Sequence, residues 1–361
     1  MDASLRGHRA SGERQTGDPA EERIYYRGVV EQPLTERTGV SAAPGSSPKV
    51  SVVIPTLNAG SGFGDLLDKL SAQETGFGYE VVVIDSGSTD GTVELARRYG
   101  AVVHGISRAE FGHGATRNLG VSLSRGEYVA FIVQDAVPLD GRWLAAMVEN
   151  LEGDALVAGV YGRQIPRPES APLTRALVNG WPTADLERRE QRVEDPALYR
   201  TLPPDERRSL ATFDNVSSCV RRSVWEEMPF DRTGFGEDVR WGKNVVERGY
   251  KLVYEPRSAV FHSHERGALY DLRRHYVDGE VLLELFDLAP TPTLPLWLLN
   301  VIRSSAHLYL RLRRDAKATG GEPRLALLAA RHAVFTQTGL YLAAKKRRLP
   351  ARLDLFLRKG V

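Results

Sequence analysis

The residues of this chain that could do chemistry together are two separate acidic segments and a histidine pair. Asp135 ends an apolar run, the adjacent acids Glu237 and Asp238 stand about a hundred residues later, and His262 and His264 follow them. One carboxylate and two imidazoles can hold a divalent cation on a diphosphate. A second carboxylate can take a proton from an attacking hydroxyl. The residue types therefore predict metal-assisted transfer of a group from a diphosphate donor.

Asp135 is the first candidate for a metal ligand, because it is the only acid in its segment and ends a predicted buried strand. A charge there would otherwise have no partner. His262 and His264 are two residues apart on a predicted strand, so their side chains point to the same face. Imidazole suits Mn²⁺ better than Mg²⁺, and we expect one of these two cations. The alternatives are that Asp135 caps the following helix and that the histidines are structural.

Asp238 is the candidate general base, and Glu237 either orients it or binds the acceptor. A carboxylate near a cation can still accept a proton in the transition state if it is well positioned. The alternative is an acid-rich helix N-terminus, which the helix dipole favours without any catalytic role. Arg221 before the pair and Trp241 after it are candidate contacts to the acceptor.

Asp85 is a candidate for base recognition, because it follows an apolar run and precedes a polar turn. A carboxylate in this position can accept a hydrogen bond from the imide N–H of uracil or thymine. The alternative is that Asp85 or Asp90 only caps the next helix, and Asp90 is the better candidate for the cap. Further candidate contacts to the nucleotide lie nearby, at Pro55, Thr56, Asn58, Ser86 and Gly87.

The segment Phe111–Asn118 places two glycines and the cation Arg117 at the start of a predicted helix. Backbone N–H groups at a helix N-terminus favour anions, and an arginine adds a charged donor. The segment is neither the G-x-G-x-x-G of dinucleotide enzymes nor a phosphate-binding G-x-x-x-x-G-K loop. We take His113, Arg117, Asn118 and Gln134 as donor contacts, and the alternative is a simple turn with His113 at the surface.

The elements that must position these residues alternate between strands and helices, which indicates a mostly parallel α/β sheet. Ligands bind beyond the carboxyl ends of such strands, where Asp85 and Asp135 lie. The predicted strands are Val50–Pro55, Tyr79–Asp85, Ala101–Val103, Tyr128–Val133, Leu156–Tyr161, Leu252–Tyr254 and Ala259–His264. The predicted helices are Phe63–Gln73, Val93–Tyr99, Ala115–Leu123, Trp143–Asn150, Ser223–Glu227, Val239–Arg248, Leu269–Phe286, Leu296–Ala318 and Arg324–Lys346, with a polar insertion at Pro166–Asp214.

The composition is that of an ordinary globular enzyme, with 361 residues of which 42% are hydrophobic and 26% charged. The only cysteine, Cys219, excludes an intrachain disulfide, fits a reducing compartment and is expected to be a buried structural thiol. The start of the chain has no apolar signal segment, and no run of about 18 apolar residues predicts a transmembrane helix. We therefore expect a cytoplasmic protein.

Composition also divides the chain into three parts. Residues 1–48 indicate a disordered segment or linker with one short strand at Arg23–Val30, residues 49–288 form the α/β domain, and residues 289–361 form an amphipathic helical extension. From Thr291 onward, 14 Lys or Arg face 3 Asp or Glu. Basic and aromatic residues on amphipathic helices favour an anionic membrane surface, at the inner face of the cytoplasmic membrane. The alternative is a helical cap with a solvated basic face; no nucleic-acid module is present, and a homo-oligomer stays open.

The order and the residues of these segments resemble those of the family 2 glycosyltransferases of GT-A fold, and within that family those of the bacterial rhamnosyltransferases. The resemblance runs from about Val50 to Glu280. The matching segments are Val52–Asn58, Asp85–Thr92, Phe111–Asn118, Gln134–Ala136, Ser218–Trp225, Pro229–Asp231, Glu237–Asp238, Tyr254–Pro256 and His262–His264.

The resemblance implies inverting transfer of a sugar to a hydroxyl of a glycan or lipid-linked acceptor. The implied donor is dTDP-L-rhamnose first, with UDP-sugars next. It implies nucleobase contact by Asp85 and Arg117 and a base at Asp238. It also implies a metal at Asp135, with metal or diphosphate contact by His262 or His264.

Two departures from the family pattern bear on this interpretation. Val133 stands where the first Asp of the usual D-x-D metal motif would be, and Glu265 and Arg266 stand where an Asn and an aromatic are typical. Two other classes therefore stay open. One is a non-catalytic nucleotide-sugar-binding protein of the same fold. The other is a sugar nucleotidyltransferase, although that class needs a glycine-rich loop with a cation after the first strand.

Overall fold

The architecture is one large mixed sheet with helices on both faces. The computed structural model describes residues 47–315 and 322–360. The strands are β1 (Val50–Thr56), β2 (Tyr79–Asp85), β3 (Val102–Gly105), β4 (Tyr128–Ile132), β5 (Val137–Pro138), β6 (Val157–Ile165), β7 (Arg189–Arg192), β8 (Ser217–Arg221) and β9 (Lys251–Phe261).

Thirteen α-helices connect and cover the strands in the described part of the chain. They are α1 (Phe63–Ser71), α2 (Thr92–Arg98), α3 (His113–Leu123), α4 (Trp143–Gly153), α5 (Pro172–Val178), α6 (Pro196–Thr201), α7 (Pro204–Leu210), α8 (Arg222–Glu227), α9 (Glu237–Glu247), α10 (Ala268–Phe286), α11 (Leu294–Arg314), α12 (Glu322–Ala344) and α13 (Ala351–Arg358). Two short 3₁₀ helices lie at Pro182–Ala184 and Lys346–Arg348.

The strand order is β3-β2-β1-β4-β8-β6-β9-β5, with β7 also paired to β9. Strands β3, β2, β1 and β4 are parallel to one another, and β8 is antiparallel to both β4 and β6. Strand β9 runs parallel to β6. The carboxyl ends of β1, β2, β4, β6 and β9 therefore open toward the same edge, which is where such sheets bind ligands.

The central strands form because their apolar, β-branched residues are buried on both faces of the sheet. In β1 and β2 the valines and isoleucines are almost completely excluded from solvent. One face packs against Leu66, Leu70 and Trp143 from α1 and α4. The other packs against Phe213 and Trp241. Burial on both faces fixes the sheet as the rigid base from which the loops project.

Several predicted elements differ from those observed. Two strands were predicted at Leu252–Tyr254 and Ala259–His264, but β9 is continuous from Lys251 to Phe261, with an irregularity in register opposite Gly162 and Arg163. Strand β9 ends at Phe261, so the prediction that His262 and His264 lie on a strand is wrong. Helix α13 and strands β5, β7 and β8 were not predicted, and α5, α6 and α7 lie within the segment predicted as a polar insertion. The predicted strand at 23–30 lies outside the described residues.

Helices α12 and α13 pack directly on α10, and α11 packs on α12. A Cβ on Gly339 of α12 would lie 2.3 Å from the carbonyl oxygen of Leu272, and one on Gly279 of α10 would lie 2.7 Å from the Cβ of Ala343. Among the described residues, none of the helices combines the length and hydropathy that crossing a bilayer requires. A separate extension starting near residue 289 stays a prediction. The thiol of Cys219 is buried in the sheet, as predicted.

Candidate functional site

The loops that follow β1 and β4 are joined at the open edge of the sheet. Gln134 accepts a hydrogen bond from the backbone N–H of Leu57 at 2.8 Å and donates to its carbonyl at 3.2 Å. The side chain of Gln134 thus links the ends of β1 and β4 with two hydrogen bonds, as a paired backbone residue would. It holds Asp135, the next residue, at the edge of the cleft.

The polar turn after β2 is tied to the end of β1. The carboxylate of Asp85 accepts from Thr56 Oγ1 at 2.8 Å, from the N–H groups of Gly87 and Ser88, and from Ser88 Oγ. Burial alone would raise the pKa of Asp85, but these hydrogen bonds outweigh it and hold that pKa below its usual value. Four donors use the lone-pair positions that a carboxylate offers. Contact between Asp85 and a nucleobase stays a prediction.

The same turn holds the loop after β1. Ser86 donates to the Thr56 carbonyl, and Asn58, whose φ is 45°, accepts from the N–H of Thr89 at 2.8 Å. Asp90 accepts from the N–H and the hydroxyl of Thr92. Because α2 begins at Thr92, the N-cap residue is Gly91 and not Asp90. Pro55 belongs to β1 and is half-buried.

The side chains of α3 that were predicted to contact the donor instead contact other residues of this chain. Arg117 is buried and pairs with Glu237 at 2.7 Å. Asn118 donates to the Phe230 carbonyl and accepts from the N–H of Phe230 and from Trp225 Nε1. His113, the first residue of α3, lies edge-on to Phe111. Arg117 therefore anchors the acidic pair, and its contact with a nucleobase stays a prediction.

The structure brings Asp135, His262 and His264 together. His264 Nε2 lies 3.3 Å from one carboxylate oxygen of Asp135, and His262 Nε2 lies 3.9 Å from the other. All three candidate ligand atoms lie within 4.8 Å of one another. Two imidazoles and one carboxylate on one side of a cation leave positions open for phosphate oxygens. The donor set fits a divalent cation.

The surroundings of the two histidines favour the neutral imidazole. Burial lowers the pKa of His262 to about 4, against the opposing charge of Asp135. Burial also lowers the pKa of His264. A neutral imidazole has a free lone pair, which is the form that binds a metal.

A buried amide connects these ligands to a further acid. His262 Nδ1 lies 2.9 Å from Gln164 Oε1, and Gln164 Nε2 donates to Asp214 at 2.7 Å. Gln164 lies on β6, between β9, which His262 directly follows, and β8, which Asp214 precedes. The connection therefore runs across three neighbouring strands.

Asp238 faces Asp214 and Glu237 at the start of α9. Burial, and then the negative charges of Glu237 and Asp214, raise the pKa of Asp238 to about 7. Burial also raises the pKa of Asp214. A carboxylate with a pKa near 7 is suited to accept a proton at physiological pH. Asp214 therefore connects the candidate base, through Gln164, with the candidate metal ligand His262.

The two predicted acceptor residues lie elsewhere. Trp241 is 1% exposed, packs between Phe213 and Phe230, and donates to the Met228 carbonyl. Arg221 lies at the end of β8, where its guanidinium donates to the carbonyls of Leu151, Asp154 and Val157. The structure assigns packing and loop-holding contacts to both side chains and does not bring them to the cleft.

Sequence reasoning missed three residues that interact with the candidate site residues. Gln164 and Asp214 form the connection described above, and Arg274 of α10 stacks 4.3 Å above the ring of Phe235. The positive charge of Arg274 acts on Asp214 and His264. Against the effect of burial, the charges of Asp278 and, to a smaller extent, Asp238 raise the pKa of Arg274. Only their position on predicted elements pointing to the open edge could have identified them.

The unusual pair after the histidines has structural contacts of its own. Glu265 accepts from the N–H of Ala171 and from Thr174 Oγ1, at the start of α5. Arg266 stacks over Tyr270. The acid at position 265 therefore holds α5 beside the histidine loop, which accounts for its departure from the expected asparagine.

Comparison with known proteins adds a family and sequence relatives. Residues 51–216 match the model of the family described as glycosyl transferase family 2. The O-antigen chain rhamnosyltransferase RfbN of Salmonella typhimurium is 30% identical over 237 residues, which is 64% of this chain and 71% of that protein. WbaN of Salmonella anatum, also an O-antigen chain rhamnosyltransferase, is 27% identical over 236 residues, with the same coverage of 64% and 71%.

A solved structure confirms the predicted fold class. The mannosyltransferase PcManGT from Pyrobaculum calidifontis, solved with GDP-Man and Mn²⁺, superposes with a TM-score of 0.51 at 23% identity. The alignment covers 85% of this chain and 89% of that one. At this identity the likeness shows the shared fold alone.

Proposed function

Because the chain belongs to the family 2 glycosyltransferases, we propose that it is an inverting enzyme with a nucleoside-diphosphate sugar as donor. The acceptor is a hydroxyl of a glycan or a lipid-linked saccharide. L-Rhamnose from dTDP-rhamnose is the leading donor, and the similarity to two O-antigen chain rhamnosyltransferases supports it. UDP-sugars come next.

The observation that carries the proposal is the continuity between the two halves of the site. The ligand cluster at Asp135 reaches Asp214 through His262 and Gln164, and the charge of Asp214 acts on Asp238. A donor diphosphate at the first half would therefore present its sugar to the second. This supports a single cleft in which departure of the leaving group and activation of the acceptor act on one sugar.

The roles of this chain's residues follow from that arrangement. Asp238 takes the proton of the acceptor hydroxyl while that oxygen attacks the anomeric carbon from the face opposite the diphosphate. Glu237, held by Arg117, keeps the start of α9 fixed. A divalent cation bound by Asp135, His262 and His264 would act as a Lewis acid for the leaving diphosphate. A single base suffices, unlike the carboxylate pair of retaining hydrolases.

Incubation with dTDP-, UDP- and GDP-sugars in Mg²⁺ or Mn²⁺, with release of the nucleotide as readout, tests the proposal. We expect Asp238→Asn to lose about 100-fold or more in turnover while it still binds nucleotide. Asp135→Ala should lose its response to the cation. Asp287→Asn is the matched control, because Asp287 is exposed and its φ of 55° suits asparagine. Equal turnover in Asp238→Asn would reject the base.

The same experiment separates the rival classes. A non-catalytic binding protein would bind a donor but release no nucleotide from it. A sugar nucleotidyltransferase would form diphosphate from a nucleoside triphosphate and a sugar phosphate. The end of β1 and the loop after it, from Pro55 to Gly60, have no lysine or arginine for that reaction.

We also propose that the enzyme works at the inner face of the cytoplasmic membrane. The support is the C-terminal part of the chain, where exposed aliphatic residues of α11 stand beside arginines. An anionic bilayer would provide both an apolar layer and negative charge for this surface. A lipid-linked acceptor would then be presented at the same surface.

A further inference from the structure

Chemistry determines which groups are donors and which are acceptors in the hydrogen bonds that connect Asp214 with His262. Asp214 Oδ1 accepts from the backbone N–H of Val216 at 2.8 Å, and Oδ2 accepts from Gln164 at 2.7 Å. Burial raises the pKa of Asp214, but both of its oxygens accept hydrogen bonds, which is the pattern of an ionised carboxylate. The amide of Gln164 must therefore turn its NH₂ group toward Asp214 and its oxygen toward His262.

That orientation decides which nitrogen of His262 carries the proton. The amide oxygen of Gln164 can only accept, so the imidazole nitrogen that faces it, Nδ1, must be the donor. A neutral imidazole has one N–H, and Nε2 is then the nitrogen with the free lone pair. Nε2 is also the nitrogen nearest Asp135, at 3.9 Å.

We propose that Asp214 and Gln164 are positioning residues that set the tautomer of His262 and so present its Nε2 to a divalent cation. The inference deepens the proposed function, because it rests on the use of a cation by Asp135, His262 and His264. The fold fixes both positioning groups. Gln164 is 3% exposed, and the carboxylate of Asp214 accepts a hydrogen bond from a backbone N–H just before β8. Outer partners of this kind typically change metal affinity by 10- to 100-fold.

Asp214→Asn gives the sharpest prediction, because the backbone dictates how the new amide must lie. The N–H of Val216 requires an acceptor, so the oxygen of the asparagine takes the place of Oδ1 and its NH₂ group faces Gln164. Gln164 would then turn over and donate to His262 Nδ1. The proton of the imidazole would move to Nε2, where it blocks the cation.

Two measurements at about pH 8 test this inference. The first reads the tautomer of His262 in the metal-free protein from its ¹⁵N chemical shifts. We expect Nδ1–H in the wild type and Nε2–H in Asp214→Asn. The second titrates Mn²⁺ by electron paramagnetic resonance, where both Asp214→Asn and Gln164→Met should weaken binding by about 10- to 100-fold.

A matched control is Gln191→Met. Gln191 is a second buried glutamine, which accepts from Tyr161 and donates to carbonyls in the loop before β8. It should change neither the tautomer nor the Mn²⁺ affinity. An unchanged tautomer and an Mn²⁺ affinity within twofold of the wild type in Asp214→Asn would overturn the inference. If Asp214→Asn does not fold, a wild-type Mn²⁺ affinity in Gln164→Met overturns it instead.

The two proposals fail in different ways. If the wild type binds no Mn²⁺ but shows the Nδ1–H tautomer and its reversal in Asp214→Asn, the cation of the proposed function is refuted while the tautomer control stands. If the wild type binds Mn²⁺ and releases nucleotide but both variants bind it normally, the positioning inference alone is refuted.

Discussion

The ionisation of Asp238 connects a single side chain to the pH at which the enzyme works. Burial and the charges of Glu237 and Asp214 raise its pKa to about 7. A general base acts only when deprotonated, so we expect kcat/KM to rise with pH below about 7 and to level off above it. Initial rates from about pH 5.5 to 9 at saturating Mn²⁺ measure this profile. A rate that does not change between about pH 6 and 8 would contradict the assignment.

The buried ion pair between Arg117 and Glu237 gives a second prediction at this scale. Their side chains are 5% and 7% exposed, so loss of one leaves the other charge buried without its partner. We expect Arg117→Met to lower the free energy of unfolding by about 3–5 kcal/mol. The double variant with Glu237→Gln should lose less than the sum of the two single variants.

Urea denaturation of the three variants measures this coupling. Lys243→Met is the control, because the Lys243–Glu247 pair lies one helical turn apart at the surface of α9 and should contribute less than about 1 kcal/mol. If Arg117→Met loses no more stability than Lys243→Met, the pair does not hold α9 in place.

Residue types predicted which side chains could act, but not which partners they would take. Asp135 and the two histidines meet, because strand ends at one edge of a sheet must converge. Arg117, Asn118 and Trp241 turn inward, since a side chain near a cleft can equally satisfy a buried carboxylate or carbonyl. That choice depends on contacts between segments about a hundred residues apart, which local patterns do not contain.

At the scale of elements, α3 approaches β1 so closely that only glycine fits at position 120. A Cβ there would lie 2.3 Å from Val53 Cγ1. We expect Gly120→Ala to destabilise the protein by about 1–3 kcal/mol, because a β-branched core residue would have to move. Thermal or urea unfolding measures the loss.

The control for this prediction is another helical glycine. Gly64 of α1 has nothing within 4 Å of the position of a Cβ. Gly64→Ala should leave stability unchanged or raise it by up to about 1 kcal/mol, because alanine favours the helix. Equal effects of the two substitutions would show that helix propensity, and not the contact with β1, governs position 120.

Elements were predictable where one physical signal dominated. Apolar, β-branched runs identified β1, β2 and β4, and periodicity identified α1 and α10. The prediction of two strands on either side of Pro256 is wrong, because an irregularity in register lets β9 continue past this residue. Strand β7 could not be predicted, because its short polar sequence, Arg189–Arg192, is a strand only by pairing with the edge of β9.

At the scale of the whole molecule, α11 exposes a surface suited to a bilayer. Leu294, Leu298 and Ile302 are 62%, 55% and 58% exposed at intervals of one helical turn. The 21 residues of α11, all described, include no acid and end in a run of arginines. A second copy of this chain would set these like charges against each other, so an anionic lipid surface is the better partner.

Liposome flotation with phosphatidylserine tests this surface. We expect the double variant Leu298→Glu, Ile302→Glu to lower the partition coefficient by about tenfold or more, because it removes apolar area and adds negative charge. The wild type should float less at high salt, where the contribution of the arginines is screened.

The control is Leu186→Glu, Leu198→Glu, a pair with equal exposure of 62% and 61% outside the C-terminal helices. This control should float like the wild type. A wild type that stays at the bottom of the gradient, or a control that is lost equally, would remove the membrane proposal.

Helix α10 contacts the candidate site residues on one side and the C-terminal helices on the other. One side carries Arg274 against Phe235, next to the acidic pair, and the other is locked to α12 through Gly279 and Gly339. A surface that fixes the orientation of α12 would therefore also fix the orientation of the cleft. An acceptor confined to that surface would reach the cleft from a fixed direction and at a fixed distance from the bilayer. Anchoring would therefore determine which hydroxyl reacts, in addition to raising the local concentration of the acceptor.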